Sequence, residues 1–281
     1  MESASLTPPP PELPERPDGV ERGPAWPWWF GLVGLFGGYF AATILVGFGA
    51  AIVGADVASD SPTFVIIATL AQTLALGSAA VLLAARVAKP KAWHFGFRRT
   101  RFWSAVGWAV LGILVFYVIT AAYSPLVPND VEQEVTEDLG ADEGALGLIA
   151  AGVMVMVIAP VAEEFFFRGF FYRALRSRFS VAAAASIDGL LFGAIHYNFE
   201  GADGLLLLPP LALLGVIFCL VYEKTGSLFP VIGMHAFNNC VAYAVQADGG
   251  WQVSLAVGPI VLAACILAPR FFRPAAPPAP A

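Results

Sequence analysis

Charged residues are scarce in this sequence. Only 13% of its 281 residues are Asp, Glu, Lys or Arg, against about 25% in soluble globular proteins, and 58% are hydrophobic. The apolar residues are grouped in blocks long enough to cross a bilayer as a helix, which takes about 20 residues. The composition therefore argues against a soluble domain and predicts an integral membrane protein. No nucleic-acid partner is expected.

Cysteine is equally scarce, and it offers no framework for a cross-linked or metal-stabilised fold. Cys219, Cys240 and Cys265 all lie in apolar stretches. Their spacing fits neither a disulfide framework nor a zinc ribbon. We expect them to be small buried side chains, as free cysteines usually are. The HExxH pattern of zinc peptidases is also missing.

The two ends of the chain lack hydrophobic residues that could build a core. Residues 1–25 are rich in proline and acidic groups, and residues 270–281 are rich in proline and alanine. Both compositions predict disordered tails. The N-terminal tail does not resemble a signal peptide, which begins with a basic segment followed by a short apolar one. Residues 26–269 are then the transmembrane domain.

Eight apolar segments make up this domain. Their continuous hydrophobicity predicts helices, because membrane barrels need alternating strands. The fold class is therefore an all-α, polytopic bundle of about eight transmembrane helices. The first three segments cover about 26–54, 62–86 and 103–123, and the fourth begins near Leu146 and runs into residues 161–173. The other four cover about 181–199, 204–222, 228–246 and 251–268.

The loops between the segments alternate in charge. Residues 86–101 and 173–178 are basic, whereas residues 128–144 and 198–203 are acidic. Because basic loops stay in the cytoplasm, this alternation predicts that both termini are cytoplasmic and that the 128–144 loop is outside. The expected location is a bacterial cytoplasmic membrane, crossed several times.

Carboxylates and an arginine stand among phenylalanines in "VAEEFFFRGFFYR", residues 161–173. Glu164 and Arg168 are four residues apart, so they lie on one helical face and can pair. Glu163 is rotated by about 100° from Glu164 and is free to face another element. A charge cluster at a helix end is the structural alternative, but ionisable groups at membrane depth usually mark functional sites.

Two further polar patterns lie in apolar segments. "LFGAIHYN" places Phe192 four residues before His196, and "GMHAFNNC" places His235 four residues before Asn239. A single buried histidine is more often a satisfied core residue than a functional one. However, a helical hairpin with its tip near residues 179–180 brings Glu163 and His196 to the same level, about sixteen residues from the tip on either side.

Together these groups predict hydrolysis by direct attack of water. A carboxylate can act as the general base, a histidine can share the proton, and a second histidine with an asparagine amide can donate to an oxyanion. No serine or cysteine nucleophile is required. Zinc held by Glu163, His196 and His235 is an alternative, although we expect no cofactor. A proton- or ion-coupled transporter and a non-catalytic scaffold also remain open.

The pattern resembles the CPBP family of type II CAAX prenyl proteases and bacteriocin-processing proteins. The family motifs EExxxR, FxxxH and HxxxN (or HxxxD) occur here in the same order, over roughly residues 145–245. The matching residues are Glu163, Glu164 and Arg168, then Phe192 and His196, then His235 and Asn239.

This resemblance implies a glutamate-type intramembrane endopeptidase. Glu163 and His196 would activate water, and His235 with Asn239 would form the oxyanion hole. Glu164, Arg168 and Phe192 would support the site. The expected partners are the lipid bilayer and a membrane-associated protein or peptide substrate. Neither the substrate nor the oligomeric state follows, because family members differ in what they act on; some are linked to bacteriocin immunity.

Overall fold

The computed structural model describes residues 24–54, 61–128, 135–197 and 203–272. Within these ranges the chain is helical and contains no strand, as the apolar segments predict. A short 3₁₀ helix at Ala92–Phe95 and a single helical turn at Val135–Asp138 lie between longer helices. The longer helices are α1 (Trp28–Val53), α2 (Pro62–Ala85), α3 (Phe102–Tyr123), α4 (Ala145–Leu175), α5 (Val181–Ala194), α6 (Leu208–Thr225), α7 (Leu228–Gln246) and α8 (Gly250–Leu267).

Seven of these helices are long and apolar enough to span a membrane, and α5 is the exception. The 14 residues of α5 are about 21 Å long at about 1.5 Å per residue, which is less than the apolar thickness of a bilayer. The helix ends early because its last turn tightens. The N–H of His196 bonds to Gly193 O, three residues back. The described part of the predicted 181–199 span, residues 181–197, is therefore a shorter helix followed by a turn.

Large apolar side chains cover much of the outer surface. Phe36, Phe40 and Phe48 of α1 are each more than 60% exposed, and Leu74, Val118 and Ile260 are similarly exposed on three other helices. A soluble protein rarely exposes so large an apolar area. With the seven long helices, this surface is that of a multi-pass integral membrane protein.

Helix α4 contains one π-helical segment before and one directly after the acidic pair, Glu163 and Glu164. Segments with π-helical hydrogen bonding occupy Met154–Ile158 and Phe165–Tyr172, and the α-helical stretch Ala159–Glu164 lies between them. Such wide turns rotate the residues that follow and are frequent at functional sites. The rings of Phe166, Phe167, Phe170 and Phe171, in the second of these segments, are completely buried.

Helices α5 and α6 cross at very short distance through glycines. A Cβ atom on Gly215 would lie 2.7 Å from the Cα of Gly189, and one on Gly189 would lie 2.7 Å from the carbonyl oxygen of Ala212. Larger residues would push the helices apart. This crossing brings polar groups of both helices to the buried face of α4.

The predicted tails lie largely outside the described residues, as does the 129–134 part of the acidic loop. Their disorder and the orientation of the bundle in the membrane stay predictions.

Candidate active site

Glu163 lies between the two histidines that the sequence singles out. Its Oε2 atom is 3.7 Å from Nε2 of His196 and 3.9 Å from Nε2 of His235. The three side chains come from α4, from the turn after α5, and from α7. The hairpin geometry thus places Glu163 and His196 at the same level, as the residue count predicts.

These distances are too long for direct hydrogen bonds. The Oε2 atom of Glu163 is buried and has no hydrogen-bond partner among the residues that the structure describes, although the side chain as a whole is 23% exposed. A buried acceptor without a donor costs about 1–3 kcal/mol. The site therefore presents an acceptor that a water or a substrate group can satisfy.

The hydrogen bond of His196 to the backbone assigns its tautomer. Its Nδ1 lies 2.7 Å from the carbonyl oxygen of Phe192. A carbonyl oxygen can only accept, so Nδ1 carries the hydrogen and donates it. In the neutral ring, Nε2 then has a lone pair that faces Glu163.

His235 has a different neighbour behind its ring. Its Nδ1 lies 2.8 Å from Oε1 of Glu164, a buried carboxylate. Nδ1 again donates, but here to the carboxylate of Glu164 and not to a backbone carbonyl. The two histidines are therefore chemically unequal, although both face Glu163.

Glu164 and Arg168 pair as their spacing predicts. The NH1 group of Arg168 donates to Oε1 of Glu164 at 3.0 Å, and both side chains are fully buried. The NH2 group donates to the carbonyl oxygen of Gly215 at 2.9 Å. Oε1 of Glu164 therefore accepts from two cationic or polar groups, Arg168 and His235, and connects them.

Asn239 is held by a backbone carbonyl that a proline leaves free. Its Nδ2 donates to Val155 O at 2.8 Å. In the π-helical pattern that precedes it, each N–H bonds five residues back, as Ala159 does to Met154. The next residue, Pro160, has no N–H to give to Val155. The neighbouring Asn238 donates to Oδ1 of Asn239 at 3.4 Å. The bond to Val155 uses one of the two amide hydrogens of Asn239, and the other has no partner among the described residues.

The ring of Phe192 packs against both histidines and against Arg168. Its ring centroid lies 4.8 Å from that of His196 and 5.8 Å from that of His235. The guanidinium of Arg168 lies over the same ring at 4.5 Å. The ring thus keeps both imidazoles apart and shields the buried cation from solvent.

Asp188 and Cys219 join this network, and neither role was predicted from the sequence. Asp188 is fully buried, its Oδ1 lies 3.5 Å from NH2 of Arg168, and the thiol of Cys219 donates to the same oxygen at 3.1 Å. Cys219 is buried as predicted, but its thiol also makes a hydrogen bond, which the sequence does not predict. A signal was present: Asp188 is the one carboxylate of the 181–199 segment and precedes Phe192 by four residues and His196 by eight.

The first two helices also reach the site. Gln72 of α2 donates to the hydroxyl of Tyr39 of α1 at 3.3 Å, and Tyr39 lies close enough to Glu163 to interact with it electrostatically. The sequence gives no spacing signal for this pair, because the two residues stand alone on separate helices.

The zinc alternative rests on Glu163, His196 and His235. Within the described residues, no group of three or more His, Cys, Asp or Glu side chains has the arrangement of a metal site.

Comparison with known proteins bears on the same part of the chain. Residues 145–241 match the family model "Type II CAAX prenyl endopeptidase Rce1-like". This match confirms the resemblance to the CPBP family over the segment that carries all three motifs. By its description, the matched model stands for a family of type II CAAX prenyl endopeptidases.

An Escherichia coli protein described as an uncharacterized 24.3 kDa protein is 30% identical over 132 residues. The aligned part covers 46% of this chain and 59% of that protein, so the chain matches little more than half of its relative's length. No solved structure matches the chain.

Proposed function

We propose that this protein is an intramembrane endopeptidase that cleaves a peptide bond by direct attack of water. Glu163 is the general base, His196 assists it, and His235 with Asn239 stabilises the oxyanion. The observation that carries the proposal is the convergence of both Nε2 atoms on the unpartnered Oε2 of Glu163, at 3.7 and 3.9 Å.

A water molecule that lies to one side of the line joining Glu163 and His196 can reach both side chains. Oε2 of Glu163 and Nε2 of neutral His196 are both acceptors, and their separation is too long for a mutual hydrogen bond. A water between them would donate one hydrogen to each, which directs an oxygen lone pair away from both. Water held in this way is oriented for attack and has a base beside it.

The oxyanion would form on the side of His235 and Asn239. A histidine backed by the carboxylate of Glu164 can carry both protons and present Nε2–H as a donor. Asn239 contributes the amide hydrogen that Val155 does not use. Two such donors suit the negative charge that develops on a peptide carbonyl oxygen.

Glu163 takes a proton from water while the water oxygen bonds to the carbonyl carbon, and the carbonyl π electrons move to its oxygen. Collapse of the tetrahedral intermediate then breaks the C–N bond. The proton held by Glu163 passes to the leaving amine. Each group returns to its starting state without a covalent enzyme intermediate.

The proposed substrate is a membrane-associated protein or peptide, because the site is built by helices of a membrane-spanning bundle. Purified protein in detergent or liposomes would be incubated with a peptide library, and products would be identified by mass spectrometry. We expect cleavage by the wild type and none by Glu163→Gln. In cells, the membrane proteomes of the wild type and Glu163→Ala would be compared for fragments that only the wild type generates.

A transporter is the competing function, because buried ionic networks also occur in proton-coupled carriers. A proton-flux assay in liposomes distinguishes the two. Flux that depends on Glu163, together with no cleavage of any peptide by the wild type, would overturn the peptidase proposal. The absence of both activities would favour a scaffold on the same fold.

A further inference from the structure

We propose that Tyr39 of α1 is a substrate-binding residue, whose hydroxyl donates a hydrogen bond to a backbone carbonyl oxygen of the peptide next to the bond that is cleaved. This inference rests on the proposed function, because it requires a peptide substrate at Glu163. It extends the site to a helix that lies outside the segment matched by the family model, residues 145–241. Gln72 of α2 is the positioning residue that holds the hydroxyl.

Helix α1 packs against the phenylalanines of α4, and glycines let the two helices approach closely. A Cβ atom on Gly31 would collide with the ring of Phe171. One on Gly34 would lie 2.9 Å from the ring of Phe170 and 3.4 Å from that of Phe166. The contact moves back along α4 as it moves forward along α1, so the two helices run antiparallel.

This register brings Tyr39 level with Glu163. Tyr39 follows Gly31 by eight residues, and Glu163 precedes Phe171 by eight residues. Both therefore lie about 12 Å from the contact of Gly31 with Phe171, at about 1.5 Å per residue along each helix. The electrostatic interaction of Tyr39 with Glu163 agrees with this position. Both side chains are partly exposed, so neither is enclosed in the core.

The hydroxyl hydrogen of Tyr39 has no partner among the described residues. A phenol oxygen can accept a hydrogen bond and still donate its own hydrogen. The amide of Gln72 donates to this oxygen at 3.3 Å, which uses only its capacity to accept. The close approach of α2 supports the bond, because a Cβ on Gly38 would lie 2.7 Å from the side chain of Leu76, one turn after Gln72. Gln72 thus orients a donor without consuming it.

An unused neutral donor beside the proposed base suits a peptide backbone. A peptide bond must leave its helix before water can reach the carbonyl carbon, and neighbouring carbonyl oxygens then lose their N–H partners. An unpaired carbonyl is costly in apolar surroundings, and the hydroxyl of Tyr39 can pair with it without burying a charge. Because this bond is the same before and during the reaction, it contributes to substrate binding and not to the chemical step.

The test is the steady-state kinetics of Tyr39→Phe with a peptide that the wild type cleaves in the library assay. The substitution removes the hydroxyl and keeps the ring that packs between the helices. We expect KM to rise by about tenfold, which is the order expected when a buried carbonyl loses its donor. The value of kcat should change by less than about twofold, because uniform binding is lost and transition-state binding is not.

Gln72→Leu tests the positioning of the hydroxyl and replaces Tyr39→Phe as the test if that variant does not fold. Leucine cannot donate to Tyr39, so the hydroxyl stays present but is no longer oriented. KM should rise by a smaller factor than in Tyr39→Phe, with kcat unchanged. The double variant should have the KM of Tyr39→Phe alone, because Gln72 acts through Tyr39 and the two effects are not additive.

Tyr123→Phe is the matched control. Tyr123 of α3 is also partly exposed, and its hydroxyl already donates to the carbonyl oxygen of Leu206 at 3.1 Å. Its loss should lower the melting temperature slightly and leave KM unchanged.

Three outcomes would contradict these expectations in different ways. Wild-type KM in both Tyr39→Phe and Gln72→Leu, with an active wild type, would overturn the inference and leave the pair as a structural contact between α1 and α2. A fall in kcat at constant KM would also overturn it, because the hydroxyl would then act on the transition state. Failure of the wild type to cleave any peptide, or full activity of Glu163→Gln, would instead overturn the proposed function itself.

Discussion

At the scale of single residues, the two adjacent glutamates have opposite surroundings. Glu163 has an oxygen without a partner beside two imidazoles, whereas Glu164 is locked between Arg168 and His235. Glu163→Gln should therefore abolish turnover and leave the melting temperature nearly unchanged. Glu164→Gln should unfold the protein more easily, because removing one partner of a buried ion pair costs about 3–5 kcal/mol. Thermal melts and turnover of the two purified variants check this contrast; equal losses of stability would contradict it.

Asn239 combines a structural and a chemical role. Losing an oxyanion donor typically lowers kcat by about a hundred- to a thousandfold. We expect this for Asn239→Ala, with little change in KM. Because Asn239 also bonds to Val155, the variant should lose about 1 kcal/mol of stability, which the sequence alone does not predict. Asn238→Ala is the control. Near-normal kcat with a large fall in melting temperature would assign Asn239 to the scaffold.

The contacts of a residue could be predicted from the sequence where its partner lies one helical turn away or on the other arm of a helical hairpin. The four-residue spacing of Glu164 and Arg168 predicts their pairing, and residue counts on a hairpin predict that Glu163 meets His196. Asp188 has no oppositely charged residue one helical turn away. Its partner Arg168 stands on another helix, so only the packing of α4 against α5 shows the pair.

At the scale of elements, a proline in α4 leaves free the carbonyl oxygen that binds Asn239 of α7. Pro160 leaves Val155 O free for Asn239, as the missing N–H requires. Pro160→Ala restores an N–H that competes for this oxygen within the helix. We expect kcat to fall by about tenfold, less than for loss of a whole donor, while stability is unchanged or higher. Steady-state kinetics with a thermal melt would show it. Wild-type kcat would mean that the Asn239 amide does not depend on this carbonyl.

The close crossing of α5 and α6 gives a second prediction at this scale. Gly215→Ala places a Cβ 2.7 Å from the backbone of Gly189, so one helix must move. Overpacking of this kind typically costs about 1–3 kcal/mol, and the shift would also disturb Gly215 O and Arg168. Gly47→Ala in α1 is the matched control, because nothing lies within 4 Å of the new Cβ. It should stabilise slightly. Equal melting temperatures in the two variants would contradict the short distance between α5 and α6 at Gly215 and Gly189.

Helix types and approximate ends could be predicted from sequence because hydrophobic runs directly report membrane spans. The shortness of α5 could not, since its apolar run continues past Ala194 and only the tightened turn ends the helix. The π-helical turns of α4 were equally hidden. No spacing or composition signal marks Met154–Ile158 or Phe165–Tyr172 as wider turns in the sequence.

At the scale of the whole molecule, the orientation in the membrane follows from loop charge alone. The basic residues of the 86–101 loop predict that this side is cytoplasmic, and the acidic 128–144 loop predicts the opposite side. The helices fix which loops share a side but not which side is inside. The orientation therefore stays a prediction that labelling must decide.

Exposed positions make that experiment decisive. Arg98 is a poor labelling site, because it is buried and donates to Gly226 O, whereas Arg99 and Asp142 are exposed in their loops. Single cysteines at 99 and 142 would be introduced into a protein without native cysteines, with Cys219→Ser to keep a donor for Asp188. An impermeant thiol reagent on intact cells should label position 142 and not position 99, and permeabilised cells should show both. Labelling at 99 with protection at 142 would invert the bundle and place the basic loops outside.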